Sequence, residues 1–331
     1  MKSRSSTLEG FRAVLCRPSF GLAEIAWRWS FGSAAGLLLT LALFEYLNTL
    51  PVSRGDLALL GTKHPILISQ AIGHILRGSG FRLLEAILVL ALTLGAAWIG
   101  IASLAQAVTL KALLAYFREG GGSLPDAAPS RLRALFGLNF LRLGAALAAA
   151  IGCLAAIVLG GAVTSPGDPS TTLLIFLTVA LLVWLAWSVV SWYLSLAAVF
   201  VVVRGRDTFG AMAAAVELCC TRAGAIFAAG TWFGLAHFVA FVLATSVVAF
   251  PLGLAGVLPH GMVLGGVLLI TLLYFAVVDF LHAGRLAAYV AMLELPAAPV
   301  APTATPVLLP IASAVDPTEL ILGDVPLAPG N

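Results

Sequence analysis

AGAIFAAGTWFGLAHFVAFVLATSVVAFPLGLAGVLPHGMVLGGVLLITLLYFAVV, residues 223–278, is a run of 56 residues without one Asp, Glu, Lys or Arg. A bilayer core of about 30 Å takes about 20 apolar residues per helix, so the run is too long for one span and suits two. The division lies inside it: between Pro251 and Gly261 two prolines and three glycines end one helix and begin the next. The chain is expected to be an all-α polytopic membrane protein.

Composition agrees. Of the 331 residues, 61% are hydrophobic and only 10% are charged, against about 45–50% and about 25% in soluble domains. Working outward from residues 223–278, four further charge-poor segments of spanning length appear: Ser30–Leu50, Leu83–Leu104, Leu138–Ala162 and Thr171–Val203. With Ala225–Phe250 and Met262–Leu281 they make six spans in three hairpins. The organisation expected is an amphipathic N-terminal segment (1–29), a six-helix transmembrane domain (30–293) and a tail (294–331). From Pro296 onward the tail holds eight prolines and no Lys or Arg, a composition of disorder. The first apolar run begins only near Phe31 and is long enough to span, so it is expected to stay as an anchor and not be removed as a signal.

The basic residues set an orientation. Thirteen fall on one side: Lys2, Arg4, Arg12, Arg17 and Arg28 before span one; Lys111, Arg118, Arg131 and Arg133 between spans two and three; Arg204, Arg206 and Arg222 between four and five; and Arg285 after span six. The opposite side has four, Arg54, Lys63, Arg77 and Arg82, all in the first loop. The positive-inside rule therefore expects both termini in the cytoplasm. On that side each hairpin is preceded by an amphipathic stretch: Thr7–Trp27, Leu104–Arg118 with Ser130–Asn139, and Asp207–Arg222. In the last, Phe209, Met212, Val216 and Cys219 form an apolar stripe. In the opposite loop His64–Leu76 has Ile68, Ile72 and Ile75 on one face and Gln70 and His74 on the other, as in an interfacial or shallow re-entrant helix.

Ionisable groups at membrane depth are the candidates for function, because each costs a few kcal/mol unless paired or wet. Asp279, His282 and Arg285 form a stripe near the cytoplasmic end of the sixth span, with Arg142 at similar depth on the third as the expected counter-ion of Asp279. His237 is the deepest; its level matches Tyr274 better than Asp279. At the outer end lie Glu45, Arg82 and Glu85, with His64 and His74 nearby; nothing fixes them at ligand spacing, and no metal site is expected. Gly144, Ala148, Gly152, Ala156 and Gly160 place a small residue at every fourth position of span three, a ridge along which another helix can approach closely, within this chain or from a partner or second copy. Ser188, Ser191 and Ser195 of span four share a stripe suited to hydroxyl bonding between helices or back to the preceding turn.

No H-E-x-x-H, G-x-S-x-G, phosphate-cradling loop or dinucleotide fingerprint occurs, so no catalytic residue and no cofactor are expected. Cys16, Cys153, Cys219 and Cys220 have no metal or redox spacing. The net charge of +3 is spread between apolar segments and gives no nucleic-acid surface; the bilayer is the expected partner.

The alternation of amphipathic helix and hairpin, as in Phe209–Phe227 and Leu132–Leu143, resembles bacterial six-span membrane families, among them the family related to the membrane domain of glycerophosphodiester phosphodiesterases. The resemblance implies a fold and a bacterial inner membrane. It implies no activity, because no phosphodiesterase domain is present. Two functions follow as expectations. One is a non-catalytic membrane protein supporting lipid and envelope organisation through its membrane-surface helices and tail. The alternative is a small-solute or ion transporter using Glu45, Glu85, His237 or Asp279.

Overall fold

A computed structural model describes residues 5–50, 52–62, 64–118, 129–163 and 169–295; the expected disordered tail lies outside them from residue 296 onward. The described residues form ten helices and no strand: α1 (Ser6–Cys16), α2 (Ser19–Asn48), α3 (Arg54–Leu60), α4 (Pro65–Leu76), α5 (Gly80–Phe117), α6 (Pro129–Val163), α7 (Pro169–Arg204), α8 (Thr208–Thr221), α9 (Ala223–Gly253) and α10 (His260–Glu294). Six of them, α2, α5, α6, α7, α9 and α10, are long and apolar enough to cross a membrane. The protein is a multi-pass membrane protein.

The charge-free run folds as expected. α9 continues through Pro251 to Gly253, a turn follows, and α10 begins at His260 behind Pro259. Pro251 sits in the last turn of α9, where it ends the helix without kinking its middle. The spans pair as the hairpins α2/α5, α6/α7 and α9/α10. Separate surface helices, α1 and α8, lead into the first and third hairpins. The amphipathic stretches flanking the second are fused into the ends of α5 and α6.

Burial is concentrated at one end of the bundle, here called the basic end, where α2, α6 and α9 start and α5, α7 and α10 finish. Its core joins Leu110, Leu113 and Leu114 of α5, Leu135 and Leu138 of α6, the run Leu194–Val203 of α7, and Leu286–Met292 of α10. Elsewhere the spans keep their apolar surface outward: no more than 17% of the most apolar window of any span is buried. Helices that are apolar all round and yet exposed need hydrocarbon, not water, around them.

Both surface helices are packed onto this core. Gly10 of α1 lets that helix meet α10 backbone to backbone; an added Cβ would lie 2.7 Å from the Ala288 Cβ and 2.7 Å from the Gly284 carbonyl oxygen. Phe11 stacks on Phe233 of α9 with ring centroids 4.1 Å apart. α8 turns Ala211, Ala215 and Leu218 to the bundle. Of the expected stripe, Met212 and Cys219 pack against the core, but Phe209 and Val216 point outward, so the buried face is rotated toward the smaller residues. The Tyr193 hydroxyl donates to the Met212 carbonyl, and Thr208 Oγ1 donates to the Ala134 carbonyl at 3.2 Å, fixing α8 between α7 and α6.

The small-residue ridge of α6 divides. At its far half Gly152 faces Val183, Ala156 is buried, and Gly160 approaches the Thr172 backbone of α7. Gly144 and Ala148 are exposed, with nothing within 4 Å of a Cβ added to Gly144. Ser195 of α7 is buried and donates to the Ser191 carbonyl at 2.8 Å.

The opposite end carries α3 and α4, which pack on each other. α3 was not expected, although its N-terminal signal is in the chain: Ser53-Arg-Gly-Asp56 is a capping box. Ser53 Oγ accepts from the Asp56 amide at 3.2 Å, while Asp56 Oδ2 accepts from the Ser53 amide at 3.0 Å and its hydroxyl at 2.6 Å. The other oxygen, Oδ1, lies 3.0 Å from His74 Nδ1 of α4. A carboxylate can only accept, so Nδ1 carries the proton. Ser53 first, then His74, hold the Asp56 carboxyl below the ordinary aspartate range.

A group whose folded pKa is depressed contributes stability above its unfolded pKa and loses it as pH falls through the folded value. The α3–α4 clip should therefore persist from pH 7 to pH 5 and open only below about pH 4. Hydrogen exchange over residues 54–76, corrected for intrinsic rate, should be several-fold faster in Asp56→Asn than in the native chain at pH 7, the two converging in acid. Equal protection at pH 7 would show that Asp56 does not hold the clip.

Candidate functional site

Just inside the basic end, α2 and α10 bring charged side chains together. Arg28 donates through NH1 to Asp279 Oδ1 at 3.0 Å and through Nε to Glu24 Oε2 at 3.0 Å. Two indoles complete the group: Trp29 Nε1 donates to Asp279 Oδ2 at 3.3 Å, and Trp27 Nε1 to Glu24 Oε2 at 2.9 Å. Residues 24 and 28 are one helical turn apart, so α2 places acid and base on the same face without help. Asp279 arrives from α10 and is held by two groups of α2. The Arg28 guanidinium also lies 5.3 Å from the centre of the Trp27 ring. Glu24 is fully buried and Asp279 nearly so.

The expected pairing of Arg142 with Asp279 is thus corrected: the counter-ion is Arg28. Arg142 instead donates to Asn139 Oδ1 at 3.2 Å and to Ser195 Oγ at 3.0 Å. Asn139, fully buried, donates its amide to Ser103 Oγ at 2.9 Å and to Gln106 Oε1 at 3.2 Å. All of these partners are neutral, and through Asn139 they link α5, α6 and α7 in one chain of hydrogen bonds.

His282 and Arg285 form the third part. Arg285 NH2 lies 3.2 Å from His282 Nδ1; arginine only donates, so Nδ1 accepts and the ring proton sits on Nε2. Three donors here, Arg142 Nε, His282 Nε2 and Arg285 Nε, are buried and have no protein acceptor among the described residues, and Glu24 Oε1 has no donor. Arg28, Arg142 and Arg285 outnumber Glu24 and Asp279, and the arginines act on one another across the site. Chemically the site is a paired-ion joint with spare hydrogen-bond donors.

The remaining candidates lie elsewhere. His237 Nε2 is 3.1 Å from the Tyr274 hydroxyl, as its level in the span suggested. Glu45, Arg82 and Glu85 are exposed. His74 is taken by Asp56, and His64 is exposed. Among the described residues no three His, Cys, Asp or Glu side chains lie close enough to hold a metal ion. The four cysteines are free thiols.

Glu24, Arg28, Asn139, Ser103 and Gln106 are the members that sequence reasoning left out. From the sequence Arg28 counts only among the basic residues before span one. The available signal was Glu24 one turn before it, an acid–base pair with two tryptophans at the entrance of an apolar span. Neither a known family, nor a curated protein, nor a solved structure matches the chain.

Removing one partner of a buried ion pair costs about 3–5 kcal/mol, because the other charge stays behind. Arg28 is 32% exposed at its side chain, which places the cost toward the lower end. Because Arg28 serves two acids, Arg28→Gln strands both Glu24 and Asp279, whereas Asp279→Asn leaves Arg28 still paired with Glu24. Thermal unfolding in lipid discs should rank Arg28→Gln as the more damaging change. A larger loss for Asp279→Asn would mean that Arg28 is not the hub.

Proposed function

We propose that the protein is a non-catalytic multi-pass protein of a bacterial inner membrane, its basic end and both termini in the cytoplasm, that supports lipid and envelope organisation through its surface helices. The observation that carries this reading is the double character of α8. One face is fixed to the bundle by Ala211, Ala215 and Leu218, while Phe209 and Val216 stand 73% and 50% exposed on a helix flanked in sequence by Arg204 and Arg206 before it and Arg222 after it. Outward aromatic and aliphatic side chains next to arginines, at the margin of charge-free spans, suit a helix lying at the headgroup boundary. α1 repeats the pattern with Leu8 and Leu15 outward and Arg12 exposed beside them. The excess of basic residues at this end supports its cytoplasmic assignment.

The transport alternative draws no comparable support. Asp279 is tied to Arg28 and Trp29, His237 stands beside Tyr274, and Glu45 and Glu85 are exposed at the α3–α4 end. These four groups do not converge on a shared route.

Extraction into polymer-bounded native discs, followed by lipid analysis, tests the proposal. Anionic phospholipid should be enriched around the protein relative to the bulk membrane. A bulk-like lipid shell, together with solute flux in reconstituted vesicles, would replace this reading with transport.

A further inference from the structure

At the basic end the space between the end of α7, α8 and the end of α10 is a groove of about 690 Å³. Arg204, Arg206 and Arg222 line it, with Thr221 and a single acid, Glu217. The three arginines are exposed. Arg222 is oriented by donating through NH1 to the Met292 carbonyl at 2.8 Å. Gly205, with φ of +66°, lets the chain leave α7 in a left-handed turn that sets Arg204 and Arg206 on either side of the bend. No carboxylate forms a described ion pair with any of the three.

The depth of the groove follows from the sequence. Arg204 is the first charge after the charge-free span that ends at Val203, and Arg222 is the last before the 56-residue run from Ala223. Guanidinium groups directly at the ends of two spans sit at headgroup level, and α8 connects those ends along the surface. Arginine's planar fork matches two oxygens of a phosphate at once, and Thr221 adds a hydroxyl. Three cations against one acid, in a polar groove open at the headgroup plane, select a phosphate-bearing anion over a neutral or zwitterionic ligand.

We propose that this groove is a phosphate-binding site, its occupant the phosphate of an anionic lipid headgroup or a free phosphate. The lipid source deepens the proposed function and rests on it; the site itself does not. Arg204 and Arg206 are exposed and make no described hydrogen bond or ion pair, so Arg204→Gln/Arg206→Gln should fold. Arg12→Gln/Arg133→Gln removes equal charge from the same end, outside the groove.

The test measures binding of phosphatidylglycerol by native mass spectrometry of the full chain, and binding of inorganic phosphate to the chain in phosphatidylcholine discs. The expected result is a loss of phosphatidylglycerol binding of roughly tenfold or more in the groove variant and little loss in the control. If inorganic phosphate binds instead, and the groove variant alone abolishes it, the site stands with a soluble occupant. If groove variant and control behave alike in both arms, the proposal is overturned. Anionic lipid enrichment around the native chain would survive that result, so failure of the groove and failure of the lipid reading are separable.

Discussion

An ion at the margin of a bilayer is costly unless it finds a partner, and Arg28 provides one for two carboxylates at once. It takes Glu24 from its own helix and Asp279 from the last span, with Trp27 adding a second donor to the Glu24 oxygen that Arg28 holds and Trp29 donating to the other Asp279 oxygen. Because those bonds need α2 and α10 in one register, the first and last spans are tied together at one depth. α1 then packs on α10 just beyond this joint, through Gly10 and Gly284, and Arg118 clasps Glu294 with two hydrogen bonds of 2.7 and 2.8 Å. The core of Leu, Val and Ala side chains grows around these fixed points, and Trp192 donates to the Tyr289 hydroxyl at its centre.

The consequence is an uneven molecule. The basic end is knitted by polar side chains and dense apolar packing, whereas the far halves of the spans are held chiefly by pairwise contacts such as Gly152 on Val183. In hydrocarbon, apolar contact between helices gains little over contact with lipid, so small residues and hydrogen bonds decide where helices meet. Both occur here in the expected roles. They are concentrated at the end that also carries the surface helices and the arginine-lined groove.

The long-range organisation was legible because it depends on local composition: charge-free run length places α9 and α10, and Pro251 to Gly261 marks their turn. The basic asymmetry picked out the end where the structure later places its core. Partner choice was less legible. Asp279 stood out as a buried acid, yet depth alone nominated Arg142, since a single sequence does not say which face of α6 meets α10. Arg28 was hidden by its own neighbours, because tryptophans beside an arginine usually mark a headgroup anchor. α8 shows a related limit: its apolar stripe was legible, but not that Ala211 and Ala215 would meet the bundle while Phe209 and Val216 face outward, where in a membrane protein large apolar groups can face lipid without cost.

Asp279 is paired with Arg28 and not with Arg142. Two double-mutant cycles in lipid discs decide it, one joining Arg28→Gln with Asp279→Asn and one joining Arg142→Gln with Asp279→Asn. Direct partners couple by about 0.5–3 kcal/mol, whereas groups that share no partner add. The Arg28 cycle should show coupling in that range and the Arg142 cycle little. Additivity in the Arg28 cycle, with coupling in the other, would contradict the account.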